Sequence, residues 1–143
     1  MAKTINLNFD GYWREVNTDS IPKKSGVYAV YVGRYGEQDK TVTFDKLIYF
    51  GEAKDANERI SIHDKWGEWR KEVPKGSETL FSFAEVASPD RERAECTLIY
   101  YHQPVCNEKS TEEFPYEETT VVSTGRAALI KSPVTVKEKQ KYI

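Results

Sequence analysis

Ser25-Gly26-Val27-Tyr28-Ala29-Val30-Tyr31-Val32-Gly33, followed after a polar stretch by Leu47-Ile48-Tyr49-Phe50-Gly51, decides how this chain reads. Val, Ile and Tyr suit a pleated, half-buried surface, so both runs predict strands. Each run sets a Tyr beside a Gly, and a glycine in a strand marks a place where another backbone or a ligand comes close. Between them, Arg34 to Lys46 carries charge and Gly and reads as a long, solvated hairpin loop. Directly after them, Asp55 and Glu58 have the form of a capping box. The helix it starts, from about residue 55 to 66, sets Arg59 and His63 four residues apart on one face.

Working outward, Ile5, Leu7 and Phe9 alternate with polar residues up to a turn signal at Asp10-Gly11, and Tyr12 to Val16 reads as the returning strand of a hairpin. Thr79 to Val86 alternates as a third central strand. Ser88-Pro89 is a helix start, and Ala94, Leu98 and Ile99 form the buried stripe of a helix from Pro89 to about Tyr101. Thr119 to Ser123 and Ala127 to Ile130, either side of Gly125, suggest a final hairpin. The tail from Lys131, with Lys137, Lys139 and Lys141, reads as disordered. The expected fold is α+β: a central three-stranded antiparallel sheet (Gly26–Gly33, Leu47–Gly51, Thr79–Val86) flanked by helices, with a hairpin at each end.

At 143 residues, with 38% hydrophobic and 13% aromatic residues, the chain reads as one domain with a modest core. The core would span about residues 21–107, with 108–143 as an extension. A formal charge of −2 excludes a global electrostatic pull toward nucleic acid, so such binding must come from a local basic surface. Cys96 and Cys106 fit neither a disulfide framework nor a zinc site, which needs about four ligands. No run approaches the ~20 apolar residues of a membrane span. The expectation is a soluble, cytoplasmic protein with reduced thiols and no membrane partner.

The residues that carry chemistry are phenols, an Arg and a carboxylate. Arg clamps phosphate oxygens with a planar fork, a carboxylate holds a hard divalent cation through oxygen, and a phenol relays a proton when a nearby cation lowers its pKa. Each residue has an ordinary alternative. Tyr28 and Tyr49 could be core residues with a bonded hydroxyl, and Arg59 could belong to a solvated helix face. His63 could be purely structural, and Glu95 could pair with Arg91 four residues earlier. Trp66 and Trp69, beside Lys65, Arg70 and Lys71, could stack on bases or cap a helix end. A thiol nucleophile at Cys96 or Cys106 with His102 lacks a third, orienting group.

Taken together, Gly26-Val27-Tyr28, Tyr49-Phe50-Gly51, Arg59, Glu95 and Asn107 resemble the ordered signature of the GIY-YIG nucleases. His63, four residues after Arg59, resembles the restriction-enzyme branch of that family more than the homing branch. The departures are Val27 and Phe50 in place of Ile, the long loop between the Tyr strands, and the lack of an evident separate DNA-binding domain. The resemblance implies hydrolysis of DNA phosphodiester bonds with one metal ion. Glu95 would hold Mg²⁺ or Mn²⁺, Tyr28 would take the proton of the attacking water, and Tyr49 would support that phenol. Arg59 would stabilise the transition state, His63 would orient a Tyr or bind phosphate, and Asn107 would brace the helix end that presents Glu95. Lys46, Lys54, Lys65 and Arg70 would contact the substrate, and a homodimer is compatible with the resemblance. The alternative is a nucleic-acid-binding or protein-interaction module without turnover. Tyr28, Tyr49, Arg59, His63 and Glu95 are expected on one concave surface beside the sheet; Glu95 on the face opposite Arg59 would undo the reading.

Overall fold

A computed structural model describes residues 1–138. The strands are β1 (Lys3–Arg14), β2 (Gly26–Gly36), β3 (Thr41–Ala53), β4 (Glu78–Glu85), β5 (Thr119–Gly125) and β6 (Val134–Val136). The helices are α1 (Ala56–Ser61), α2 (Trp66–Lys71) and α3 (Asp90–His102), with a 3-10 helix at Glu15–Ser20. All six strands join one mixed sheet, in the order β3-β2-β4-β1-β5-β6, which curls into a half-barrel with few helices. The expected three-stranded antiparallel sheet flanked by helices is therefore wrong. The runs assigned to its strands do pair, but as one end of a larger sheet in which β1 and β5 run parallel.

Three local misreadings explain the difference. Asp10-Gly11 is no turn: Gly11 takes φ +141°, a conformation open to glycine, and absorbs a register shift against β4, so one strand continues where a hairpin is expected. Its alternating Ile5, Leu7 and Phe9 are buried and pack with Val121, Leu98 and Ile99. Arg34 to Lys46 is mostly strand, since Arg34, Tyr35 and Gly36 pair with Thr43, Val42 and Thr41 and the turn is confined to residues 37–40. Phe44 explains why this polar ribbon holds its shape, with its ring 4.4 Å from Tyr12 and 4.9 Å from Tyr31. At the C-terminal end, β5 pairs with Val134–Val136 and not with residues 127–130. Part of the tail expected to be disordered is thus strand β6, while Lys139 and Lys141 lie outside the described residues.

The strand alternation of β2 divides the core. Val27, Ala29 and Tyr31 pack with Ala94, Leu98 and Ile99 of α3, whereas Tyr28, Val30 and Val32 pack with Ile60 of α1 and Trp69 of α2. Period two sends successive side chains to opposite faces, so α3 covers one face of the sheet and α1 with α2 the other. The helix expected over residues 55–66 is shorter. Asp55 caps it by accepting from the Glu58 N–H (3.0 Å) as the sequence predicts, but it ends at Ser61, and His63 lies beyond its C-terminus. Among the described residues no helix is long and apolar enough to cross a membrane.

Candidate active site at the β3 edge

Strand β3 is an edge strand, and beside it lies a concavity lined by Tyr49, Arg59, Lys65 and Asn107 among the singled-out residues. Unpaired edge groups must find partners or solvent. The segment after α3 supplies partners: the Cys106 N–H donates to the Ile48 carbonyl (2.9 Å), and Asn107 accepts from the Phe50 N–H (3.0 Å) while donating to the Phe50 carbonyl (2.9 Å). Asn107 therefore clamps β3, where bracing of the α3 end is expected. Both helices next to this edge bring side chains to it. Arg59, from one face, lines a concavity with Tyr49, Asp64, Lys65, Asn107, Glu108 and Lys109, and an adjoining one with Glu52, Lys54 and Arg91.

Glu95 arrives from the other face. It lies on α3, which covers the face opposite α1, so the expectation that all five residues share one concave surface fails. The elements stand in the arrangement expected to undo the nuclease reading, and of the five only Tyr49 and Arg59 line the concavity. The carboxylate still reaches the rim. It is close enough to Tyr28 and Tyr49 to raise both phenols, and Lys109, which lines the Arg59 concavity, meets its Oε1 at 3.4 Å. Arg59 and Glu95 thus flank β3 from opposite sides and converge on its edge.

The phenols are buried on the α1 and α2 face. Tyr28 and Tyr49 have ring centroids 6.3 Å apart, and His63 stands edge-on to both, at 6.1 and 5.3 Å. Burial, then the neighbouring Tyr49, pushes the Tyr28 phenol far up, and Arg59 pulls it back. Tyr49 is pushed up to about 12, chiefly by burial and then by Glu95. Neither phenol sheds a proton at neutral pH without added positive charge, and Arg59 is the fixed cation acting on both.

His63 is neutral. Burial and then Arg59 lower its pKa to about 4, and its Nδ1 accepts from the Lys65 N–H (3.0 Å), which leaves the proton on Nε2. That Nε2 is buried without a hydrogen-bond partner, among the rings of Tyr28, Tyr49 and Trp69. Arg59 spends one guanidinium contact on Asp64 (3.1 Å) and remains about half exposed.

Glu95 is only 4% exposed, and burial lifts its carboxyl to about 7 against the opposing pull of Lys109. The alternative pairing with Arg91 is not formed. Arg91 instead donates from Nε to Glu52 (2.5 Å) and from a terminal nitrogen to Ser25 Oγ (2.8 Å), locking α3 to the strand ends. A one-carboxylate Mg²⁺ or Mn²⁺ site asks for one oxygen facing the cleft, with water completing the shell. Glu95 itself lines neither concavity, but its Oε1 is reached at 3.4 Å by Lys109, which lines one of them, so a cation in the place of that ammonium would find this oxygen. Among the described residues no three His, Cys, Asp or Glu side chains gather as a denser metal cluster.

The substrate-binding candidates divide. Lys54 and Lys65 line the two concavities, although Lys65 is engaged by Glu68 (2.8 Å) and Glu108 (3.3 Å). Lys46 is bound to Glu72 (2.7 Å), and Arg70 lies over the Trp66 ring at 4.9 Å; neither lines these two concavities. Trp69 is fully buried, which removes it from any stacking on bases, and Trp66 donates from Nε1 to the Ile60 carbonyl (2.7 Å), as a helix-end cap does. Cys96 and Cys106 are buried with thiol pKa values raised by burial, the reverse of what a nucleophile needs. Sequence reasoning missed Glu52, Asp64, Arg91 as the partner of Glu52, and Lys109. None belongs to a spacing pattern that could have exposed it. No family model, curated protein or solved structure matches the chain.

Proposed function

We propose that this chain is a metal-dependent DNA endonuclease that hydrolyses phosphodiester bonds with one metal ion and a tyrosine base, in the manner of the GIY-YIG nucleases. The observation that carries the reading is convergence. Tyr28, Tyr49 and His63 pack ring against ring, Tyr49 and Arg59 line one concavity at the sheet edge, and Glu95, from the opposite face, touches Lys109 of that same lining. Ordinary core packing gives no reason to bury Glu95 and raise its pKa beside two phenols, and perturbed groups lining a cleft favour a functional site.

Each residue has a role that its surroundings support. Glu95 would hold a divalent cation, which would supply positive charge for phosphoryl transfer. Tyr28 would accept the proton of the attacking water as its phenolate, having first lost its own proton to solvent. Arg59 lowers the cost of that anion, and the positive charge of a bound cation would lower it further. Arg59 also stabilises charge on the phosphoryl oxygens in the transition state. His63, fixed by the Lys65 N–H, holds the Tyr49 ring edge-on. Asn107 fixes the backbone between Tyr49 and Gly51.

The second reading, a binding module without turnover, draws on the depth of Tyr28, which is 1% exposed. Plasmid nicking with and without Mg²⁺ separates the two. Mg²⁺-dependent nicking that is lost in Arg59→Ala supports the enzyme, and DNA binding with no nicking under any divalent cation supports the module.

A further inference from the structure

Among the described residues, Lys109 is the cation within ion-pair distance of Glu95, and the pair is lopsided. The Glu95 side chain is 5% exposed, whereas that of Lys109 is 64% exposed. One partner is fixed in α3 and the other lies at the mouth of the cleft. The root of Lys109 is held too, because Asn107, two residues earlier, is bonded to both backbone groups of Phe50. Its ammonium can therefore swing only within reach of the rim that Tyr49, Arg59 and Lys65 share.

We propose that Lys109 is a displaceable internal counter-ion. In the cation-free protein it holds Glu95, and a divalent cation binding at Glu95 releases it to take a phosphate of the polyanionic substrate. The inference rests on Glu95 being the cation ligand. A buried carboxylate needs a positive partner. Lys109, which lines the cleft, meets that need at Oε1. A divalent cation entering from the cleft competes for that oxygen, and two positive charges so close repel, so the flexible one leaves. Four methylenes and solvent exposure make the departure easy. Once free, the ammonium sits beside Arg59, where a phosphate between the two cations would be favoured. Cation and polyanion then help each other to bind, and by linkage the help is mutual.

The test uses the full chain as wild type, Lys109→Gln, Glu95→Gln and the double variant. Mn²⁺ alone is titrated and its free form read by electron paramagnetic resonance, at about pH 9 so that Glu95 stays ionised with or without Lys109. Lys109→Gln should bind Mn²⁺ about tenfold more tightly than wild type, the scale of one lost charge-assisted contact, and Glu95→Gln should lose that site. The salt slope of binding to a short DNA duplex without metal should be the same in wild type and Lys109→Gln, because an occupied Lys109 contacts no phosphate. On the Glu95→Gln background, where Lys109 is free, adding Lys109→Gln should weaken duplex binding and reduce the salt slope by about 0.9. Equal or weaker Mn²⁺ binding by Lys109→Gln overturns the counter-ion role while leaving Glu95 as the ligand. Mn²⁺ binding that is absent from wild type, or unchanged by Glu95→Gln, removes the metal reading and this inference with it.

Discussion

Gly51 and Tyr28 face each other across β3 and β2, and the glycine exists as space for the phenol. They are register partners, and a Cβ on Gly51 would lie 2.6 Å from Tyr28 Cε2 and closer still to Cζ and the hydroxyl oxygen. The Gly of one motif thus seats the Tyr of the other. This relationship, and not conformation, accounts for Gly51, which has no positive φ; Gly26 instead makes room for the Ala84 carbonyl and the Phe83 ring.

Gly51→Ala should therefore displace the Tyr28 ring, at a cost on the order of 1–3 kcal/mol for overpacking a filled site. Nicking should fall at least about tenfold, since small misplacements of a reacting group cost more than that, while duplex binding stays near wild type. Calorimetric melting and nicking rates check both halves. Wild-type activity in this variant would detach Tyr28 from the chemistry.

Asn107→Ala should open the β3 edge. The Phe50 N–H and carbonyl both lose their partner in a buried place, and each unsatisfied group costs about 1–3 kcal/mol. Amide hydrogen exchange reads this directly: the Phe50 amide should lose protection well beyond the amides of β1. An unchanged Phe50 rate would mean that the clamp contributes nothing to the edge.

How far the sequence exposes all this depends on which physics each residue obeys. Val27 to Val32 and Leu80 to Ala84 are legible as strands because burial on both faces fills them with apolar side chains. The Asp55 cap is legible because it is a local bond. Gly11 is not, since Asp-Gly serves a turn and a bulge equally well, and only pairing with Phe81 and Ser82 decides. Thr41-Val42-Thr43-Phe44 does alternate, but charges on either side mask it. Motif order singles out Tyr28, Tyr49, Arg59 and Glu95, but not where the fold places them. Nothing in a linear order tells that α1 and α3 cover opposite faces, so the placing of Arg59 and Glu95 on either side of β3, and the contact of Lys109 with Glu95, appear only in three dimensions.

His63 gives the fold a weakness toward acid. Its pKa falls from an ordinary 6.5 to about 4 in the folded chain, so between those values the unfolded state binds more protons. Stability from this group is complete above about pH 6.5 and is lost as pH falls toward 4. In His63→Phe, which keeps an aromatic ring beside Tyr49 and Trp69, the melting temperature should decline less between pH 6.5 and 4.5 than in wild type. Parallel declines would show that other groups set the acid limb.

Glu95 works in the opposite sense. Its folded pKa of about 7 lies above the ordinary 4.5, so the folded chain holds the proton more tightly. Stability from this group is complete below about pH 4.5 and is lost as pH rises through 7, where a charge must be kept in a buried place. Glu95→Gln keeps the shape and removes that charge. It should melt at a higher temperature than wild type above pH 7, and the gap should close below pH 4.5. Nicking should fall by about 10² or more, as when a transition-state contact is removed, while duplex binding should hold or improve because an anion facing phosphate is gone. A carboxylate kept only for its bond to Lys109 predicts the reverse: the variant would melt lower, by the few tenths of a kcal/mol that a largely exposed pair contributes, and nicking would be untouched. Melting curves across pH and nicking rates on this single variant separate the two, and a folded Glu95→Gln protein that nicks at the wild-type rate would take the cation site out of the mechanism.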